Sequence, residues 1–331
     1  MQKVIVVGAG FIGRTHMEAW TRMKNAQLAA VVDQNGDVGR EAAALFGAPY
    51  YATLQEAMQQ EDATIADVCL PTFLHEACVL EAAAAGKHVL CEKPVTFELD
   101  SFDRMADACA HSGVRFMTAQ VVRWDPAYAH IADMLRAGEF GAVRTVCTRR
   151  LSQHPGWSSW FRDPKKSGGG LYDLHVHDLD YVYSLFGMPC RVYASGWKSP
   201  DGCWNHICTE LAWENGQTAL CESSIAMTGA FPFTVEARIN GERGTVDYAF
   251  SAGHNLHDGV AAARFQWYPA DGEPAQLAPA KADMYEAELS AFADAVETGA
   301  EPPIPPAQTR QVLRIVLGVR ASLESGMPVR F

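Results

Sequence analysis

The chain has 331 residues, of which 48% are hydrophobic and 20% charged, enough for about two folded domains with apolar cores. Its net charge of −12, with no local block of Lys or Arg, argues against a nucleic-acid partner, and its apolar runs fall short of the ~20 residues that cross a bilayer. No secretory leader precedes the first strand pattern and the nine cysteines show no C-x-x-C spacing, so we expect a cytoplasmic protein with reduced thiols and no membrane partner.

Short apolar runs alternate with helical patterns through the first third of the chain. Strands are predicted at 3–7, 27–32, 66–70, 88–91 and 114–118, and helices at 12–24, 38–46, 74–85 and 99–112. This alternation is typical of a doubly wound parallel sheet with right-handed crossovers. We therefore predict an α/β domain of the Rossmann type over residues 1–122.

The pattern changes after about residue 120. Helices are predicted at 128–137, 172–186, 285–296 and 312–323, and strands at 143–149, 191–197, 203–213, 218–225, 234–239, 245–250 and 263–268. Glu214-Asn215-Gly216 and Asn240-Gly241 lie between apolar runs as hairpin turns. Residues 123–331 are thus predicted to form an α+β domain, with a large, mostly antiparallel sheet and helices on one face.

A glycine-rich turn follows the first strand. In Gly8-Ala9-Gly10-Phe11-Ile12-Gly13, the first glycine allows a tight turn, the second lets a pyrophosphate approach the backbone, and the third lets helix and strand pack closely. The helix that begins there offers unpaired N–H groups to phosphates. We assign Gly8, Gly10, Phe11, Ile12 and Gly13 to a dinucleotide site; the alternative is a turn that binds nothing.

Asp33 ends the second strand, at the distance from the turn that suits a ribose-binding carboxylate. Such a carboxylate accepts hydrogen bonds from ribose hydroxyls and repels a 2′-phosphate. Gln34-Asn35 beside it supplies no cation. The sequence therefore favours NAD over NADP.

A second polar cluster follows Gly168-Gly169-Gly170: Asp173, His175, His177 and Asp178. Residue types of this kind ligate zinc or iron, so a metal site is one interpretation. On a helix, however, positions 173 and 177 share a face and 175 points away. Because Leu174, Leu179, Val182, Tyr183 and Phe186 recur at helical spacing, we prefer the helix and predict no metal, which leaves His175 behind the site or at the edge of the substrate.

These segments together resemble the glucose–fructose oxidoreductase/inositol dehydrogenase (Gfo/Idh/MocA) family. The matching parts run in order from residue 8 to 178: the glycine turn, Asp33, Pro71-Thr72-Phe73-Leu74-His75, Glu92-Lys93-Pro94, Arg123 with Pro126, and the stretch from Gly168 to His177. The resemblance implies that Pro71, Thr72, His75, Glu92, Lys93 and Pro94 line the nicotinamide and ribose, and that the Lys93–Pro94 bond is cis. It also implies a pyranose sugar, sugar derivative or cyclic polyol as substrate.

The resemblance further implies that Lys93 and His177 approach the reacting carbon, with Asp173 beside them. Oxidation of an alcohol requires a base for the hydroxyl proton, and an imidazole titrates near neutrality. We assign His177 as acid/base and Lys93 as its electrostatic partner, with the reverse allocation open. Asp173 orients the pair; solvated lysine and core histidine are the alternatives.

Aromatic residues precede the glycine triplet. Trp157, Trp160 and Phe161 suit the apolar faces of a sugar ring, while Arg123, Arg162 and Gln153 suit hydroxyls or a carboxylate. An apolar plug between domains is the alternative. The substrate-binding residues are thus predicted to be Lys93, Arg123, Trp160, Arg162, Asp173 and His177.

Three functions remain open at this point. We favour an NAD-dependent dehydrogenase over redox-neutral use of tightly held NAD, as in relatives that transfer hydride between sugars or cleave glycosides. A nucleotide sensor is the third, which the intact Lys93, Asp173 and His177 disfavour. A homodimer or homotetramer through the C-terminal sheet is expected, because a broad apolar sheet face is seldom left in water.

Overall fold

The computed structural model describes residues 1–154, 156, 159–253 and 260–331. They form two compact units. The first contains Met1–Trp124 and Ala282–Arg310, and the second contains Asp125–Lys281 and Gln311–Phe331. The sequence predicted two consecutive domains, divided between residues 122 and 123. It did not predict that residues 282–310 belong to the first unit, because periodicity does not show which unit covers the apolar face of a helix.

The first unit is built on six parallel strands within the described residues. They are β1 (Gln2–Val7), β2 (Ala26–Val32), β3 (Tyr50–Tyr51), β4 (Ile65–Val68), β5 (His88–Cys91) and β6 (Phe116–Thr118), in the order β3-β2-β1-β4-β5-β6. The helices of the first 124 residues are α1 (Phe11–Arg22), α2 (Gly36–Phe46), α3 (Leu54–Gln60), α4 (His75–Ala84) and α5 (Leu99–His111). The order reverses between β1 and β4, the point at which open α/β sheets bind ligands. The predicted Rossmann architecture is confirmed.

The returning segment completes the core of this unit. It contributes α9 (Met284–Thr298), whose Leu289 and Phe292 are fully buried in one cluster with Met17 and Trp20 of α1. A buried carboxylate of α9, Glu288, accepts a 2.6 Å hydrogen bond from the backbone N–H of Gln120. The helix is therefore part of the first unit by both packing and hydrogen bonding.

The second unit contains a nine-stranded sheet among the residues described. Its strands are β7 (Val143–Leu151), β8 (Arg191–Lys198), β9 (Trp204–Ala212), β10 (Thr218–Ser224), β11 (Thr234–Gly241), β12 (Gly244–Ala252), β13 (Val260–Pro269), β14 (Ala275–Gln276) and β15 (Val329–Arg330), in the order β14-β13-β12-β11-β7-β10-β9-β8-β15. The β7–β10 pair is parallel and the other pairs are antiparallel. This confirms the mostly antiparallel prediction.

Helices pack on one face of this sheet. They include α6 (Pro126–Arg136), the short α7 (Pro164–Ser167), α8 (Val176–Phe186) and the second-unit part of α10 (Pro306–Ser325). In α10, Ser322 accepts a 2.9 Å hydrogen bond from the backbone N–H of Ala194 in β8. Inward residues of β9 such as Ile207 and Leu211 are fully buried, whereas Cys208 between them is exposed. None of the helices in the described ranges combines the length and apolarity needed to cross a membrane.

Candidate active site

The glycine turn between β1 and α1 has the close packing that its sequence predicts. Gly8 has a φ of 104°, and a Cβ there would lie 2.5 Å from the carbonyl oxygen of Cys69. A Cβ on Gly13 would lie 1.8 Å from the carbonyl oxygen of Gly8. By contrast, no described atom lies within 4 Å of a Cβ built on Gly10. Gly8 and Gly13 are thus required by close packing, whereas Gly10 leaves open space over the backbone.

Asp33 lies directly after β2, against this turn. Its Oδ2 accepts a 2.8 Å hydrogen bond from the Ala9 N–H, and its Oδ1 accepts one of 2.7 Å from the Asn35 N–H. Each carboxylate oxygen has a second acceptor position. The side chain is therefore held in place by the backbone and can still accept from ribose hydroxyls.

One cation near this site is not apparent from the residues that follow Asp33. Asn35 caps α2, and the helix then brings Arg40 back beside Gly36, so that a Cβ on that glycine would lie 2.9 Å from Arg40 Nη1. The guanidinium donates to Asp37 at 2.9 Å and lies 5.6 Å from the Tyr50 ring centroid. Gln34-Asn35 itself supplies no cation, but helical geometry places Arg40 one turn above Gly36 and so brings a guanidinium near Asp33.

The loop after β4 carries the residues expected at the nicotinamide. Pro71 precedes a 3₁₀ turn, Thr72–Leu74, and Thr72 is buried. His75 is only 1% exposed, with Nδ1 3.1 Å from the Val95 carbonyl oxygen and Nε2 2.7 Å from that of Leu70. Burial lowers the pKa of His75, so the neutral ring donates its one N–H to one of these two carbonyl oxygens.

Glu92-Lys93-Pro94 follows β5 directly. The Lys93–Pro94 peptide bond is cis, as the resemblance implies. Glu92 is 5% exposed, and its Oε2 accepts a 2.9 Å hydrogen bond from the Lys93 N–H. The lysine is partly buried at the end of a parallel strand, where such sheets place their ligands.

In the second unit, the segment before α8 begins with a π-helical turn, Leu171–His175, and continues as the predicted helix. Between Leu171 and Asp180, all of which the structure describes, Asp173 and His177 are partly exposed and the other eight residues are buried. The glycine triplet positions this turn, because the Gly170 N–H donates to Asn205 Oδ1 at 3.0 Å. The expectation that 173 and 177 share an accessible face agrees with this exposure.

His175 and Asp178, unlike Asp173 and His177, are buried in the second unit. The ring nitrogens of His175 lie 2.7 Å from Ser223 Oγ and 2.8 Å from Thr209 Oγ1, and its side chain has no exposed surface. Asp178 forms a buried ion pair with Arg150, with Oδ2 2.9 Å from Nε. The four residues considered for a metal are therefore divided among separate contacts, and His175 is a core residue instead of one at the substrate's edge.

The predicted substrate-binding residues are divided between the two units. Arg123, in the first, donates from Nη1 to Gln308 Oε1 at 2.7 Å. Trp160 is partly exposed and Arg162 exposed, both in the 3₁₀ turn Ser159–Arg162 of the second unit. Trp157 and the side chain of Phe161 lie outside the described part of the chain.

Comparison with protein families decides the relationship. Residues 2–120 match the model described as "Oxidoreductase family, NAD-binding Rossmann fold", and residues 128–247 match the "GFO/IDH/MocA C-terminal domain". The chain belongs to the Gfo/Idh/MocA oxidoreductase family.

Individual relatives match over most or nearly all of the chain. D-xylose 1-dehydrogenase (NADP(+)) 2 of Haloferax volcanii is 29% identical, covering 98% of each sequence. The 2,7-anhydro-N-acetylneuraminate hydratase of Escherichia coli is 29% identical over 73% of this chain and 66% of its own length. The crystal structure of an aldose–aldose oxidoreductase from Caulobacter crescentus superposes with a TM-score of 0.87 at 23% identity, covering 100% and 99% of the two chains, which supports the same fold.

Proposed function

We propose that the chain is a dehydrogenase that oxidises a secondary alcohol of a sugar, sugar derivative or cyclic polyol, with NAD as the hydride acceptor. The observation that carries the proposal is the exposure of Asp173 and His177 in an otherwise buried stretch. Because the fold leaves this carboxylate and this imidazole accessible, they can exchange protons with a ligand. The family to which the chain belongs supports the hydride chemistry.

The proposed mechanism divides the reaction between cofactor and protein. When bound on the glycine turn, NAD supplies an acceptor for the hydride that leaves the carbinol carbon. His177 takes the hydroxyl proton, for which a placed base contributes about 10²–10⁴-fold. Lys93 holds the substrate oxygen and stabilises its developing negative charge, and Asp173 orients the imidazole. An exchange of the first two roles between His177 and Lys93 is the alternative.

We propose NAD as the preferred coenzyme on the basis of Asp33, whose position is fixed by two backbone N–H groups. Two observations favour NADP instead. The guanidinium of Arg40 lies on the neighbouring helix, and the Haloferax relative is named for NADP(+). We nevertheless assign the preference for NAD to the Asp33 carboxylate. Arg40 is already paired with Asp37, and the Arg40 side chain is 62% exposed, so solvent screens its charge.

A panel of pyranoses, aldonic and amino sugars and inositols, each incubated with NAD or NADP, tests the reaction through absorbance of the reduced nicotinamide. We expect Lys93→Met and His177→Gln to lower kcat by about 10²-fold or more while the Kd for NADH changes little. Lys24→Met and His111→Gln, which alter exposed residues of the same types, serve as matched controls. Unchanged turnover in the first two variants would remove both residues from the mechanism.

Redox-neutral use of retained NAD is the second candidate, favoured by the names of two relatives, an aldose–aldose oxidoreductase and a hydratase. In that case substrate is consumed without net accumulation of NADH, and the cofactor remains with the protein through gel filtration. A nucleotide sensor would bind NADH and turn over none of the panel.

We further propose that the open face of the nine-stranded sheet joins two copies of the chain. Register places Tyr193, Glu210 and Leu220 side by side across β8, β9 and β10, and Leu220 is 53% exposed. Large exposed apolar side chains on a sheet favour association. Leu220→Glu should lower the sedimentation coefficient, whereas Leu45→Glu, at an exposed leucine of α2, should not; a wild-type monomer contradicts the proposal.

A cytoplasmic location is proposed from the thiols. All nine cysteines lie in the described ranges and each is a free thiol. Free thiols are typical of reducing compartments. Fractionation of the native host would test this location.

A further inference from the structure

A histidine that the proposed mechanism does not use lies beneath the cofactor end of the first unit. His16, on α1, has no exposed surface, and both of its ring nitrogens face carboxylates. Its Nδ1 lies 2.9 Å from Asp67 Oδ2, and its Nε2 lies 3.0 Å from Glu92 Oε1. The Nδ1 contact is a hydrogen bond, whereas the Nε2 contact is an ion pair by distance without the alignment of a good hydrogen bond.

This arrangement calls for a protonated ring. A neutral imidazole has one N–H, so its other nitrogen would present a lone pair to a carboxylate oxygen. Burial lowers the pKa of His16, but the Asp67 carboxylate beside the ring outweighs it and holds the pKa well above the usual histidine value. An imidazolium between Asp67 and Glu92 makes both contacts attractive.

The other titratable groups around the ring do not replace this cation. Burial raises the pKa of the Cys69 thiol, whose Sγ lies 3.4 Å from Nδ1. Tyr285, whose ring centroid lies 5.9 Å from that of His16, also has its pKa raised by burial. Burial, followed by the nearby Glu92, raises the pKa of Glu288 well above its usual value.

The network reaches the proposed catalytic lysine through the backbone. Glu92 offers Oε1 to His16 and accepts the N–H of Lys93 on Oε2 at 2.9 Å. At the other end, the Trp20 indole donates to Asp67 Oδ2 at 2.7 Å, which fixes the carboxylate that holds the ring. We propose that His16 is a positioning residue, which fixes Glu92 and thereby the backbone from which the Lys93 ammonium extends.

This inference rests on the proposed function only for its kinetic consequence. Its structural part is tested in wild-type protein labelled with ¹⁵N-histidine. At about pH 8.5, where exposed histidines are neutral, one imidazole of the eleven in the chain should retain two protonated nitrogens. That signal should be absent from His16→Gln. If every imidazole is neutral at that pH, the proposed cation does not exist.

The kinetic part is tested by the order in which substitutions act. His16→Gln should lower kcat about tenfold and leave the Kd for NADH within about threefold. In an E92Q background the same substitution should have no further effect, because His16 acts through Glu92. Met17→Ala, at a fully buried residue of the same helix outside the network, is the control: it lowers thermal stability, yet should leave kcat within about threefold.

Equal losses of kcat in both backgrounds, or a wild-type kcat in His16→Gln, would overturn the positioning role. The parallel Lys93→Met variant separates the two proposals. If that variant turns over normally, the proposed function fails, and the labelled spectra still decide whether the imidazolium exists. If His16→Gln does not fold, the wild-type spectra still decide whether the imidazolium exists. The signal of that imidazole should then shift in Glu92→Gln, and an unchanged signal would contradict its contact with Glu92.

Discussion

Asp33→Ser provides the sharpest test of the coenzyme proposal. The carboxylate lies at the tip of β2, held by the N–H groups of Ala9 and Asn35 at 2.8 and 2.7 Å. Serine keeps one acceptor there and removes the charge. The substitution should therefore weaken NADH binding through lost ribose contacts and strengthen NADPH binding through lost repulsion.

The magnitude follows from the charges. Two unit charges 4 Å apart repel by about 1 kcal/mol in water and about 4 kcal/mol at an effective dielectric near 20. Asp33 is partly exposed, so the lower part of this range applies. Adding the loss of one charged hydrogen bond of ~1.5 kcal/mol, we expect the NADH/NADPH affinity ratio to fall about 10–100-fold.

Titration of nucleotide fluorescence at fixed ionic strength measures both dissociation constants without knowledge of the substrate. Asp62→Ser is the matched control, because it removes the same charge from the first unit at a side chain that is 96% exposed and does not pair with Arg40. A ratio that stays within twofold in Asp33→Ser, or that changes equally in both variants, would refute the assignment. A further Arg40→Met substitution should reverse the gain in NADPH affinity, because it removes the nearby guanidinium.

Three further outcomes follow from the described geometry. Gly10→Ala should keep the wild-type Tm and weaken NADH binding about tenfold. Gly13→Ala should instead lower the unfolding free energy by about 1–3 kcal/mol, since its Cβ would overlap a carbonyl of the turn. Equal losses of Tm in the two variants, measured by calorimetry, would contradict this. Arg150→Met should cost about 3–5 kcal/mol in urea unfolding because it leaves a buried carboxylate unpaired, against less than about 1 kcal/mol for the neighbouring, half-exposed Arg149→Met. Burial lowers the pKa of His175 to about 3 in the folded protein. Between that pH and about 6.5, the unfolded chain therefore carries a proton on His175 that the folded protein does not. The unfolding free energy then falls by about 1.4 kcal/mol for each pH unit of acidification across this window. His175→Asn should flatten that slope, and an unchanged slope would exclude the assignment.

The Rossmann unit could be predicted because its signals are local. Buried strands read as continuous apolar runs, and the glycine turn has its own spacing. Two elements were missed for the opposite reason: β3 is the pair Tyr50–Tyr51, too short for any periodicity, and α3 spans less than two full turns. A signal for α3 was present, since Thr53 and Glu56 form a capping box at its start.

The position of Asp33 directly after β2 and the exposure of His177 could be predicted from the sequence, while their roles in the site stay predictions. The site was not predictable where distant elements decide. His175 is buried by hydroxyls of Thr209 and Ser223, which lie 34 and 48 residues further along the chain. Likewise, a histidine inside α1 gives no sign in the sequence that it contacts Glu92, 76 positions away, since pairing of this kind depends on tertiary packing.

The return of Ala282–Arg310 to the first unit has a consequence for biosynthesis. A ribosome exposes Met17 and Trp20 long before it makes Leu289 and Phe292, which cover them. The nascent polypeptide therefore carries an uncovered apolar surface for most of translation. Chaperones bind such surfaces, and without chaperones the chain aggregates. A gene cut after codon 124 should yield insoluble protein, while the same fragment joined by a flexible linker to codons 282–310 should yield a soluble nucleotide-binding module.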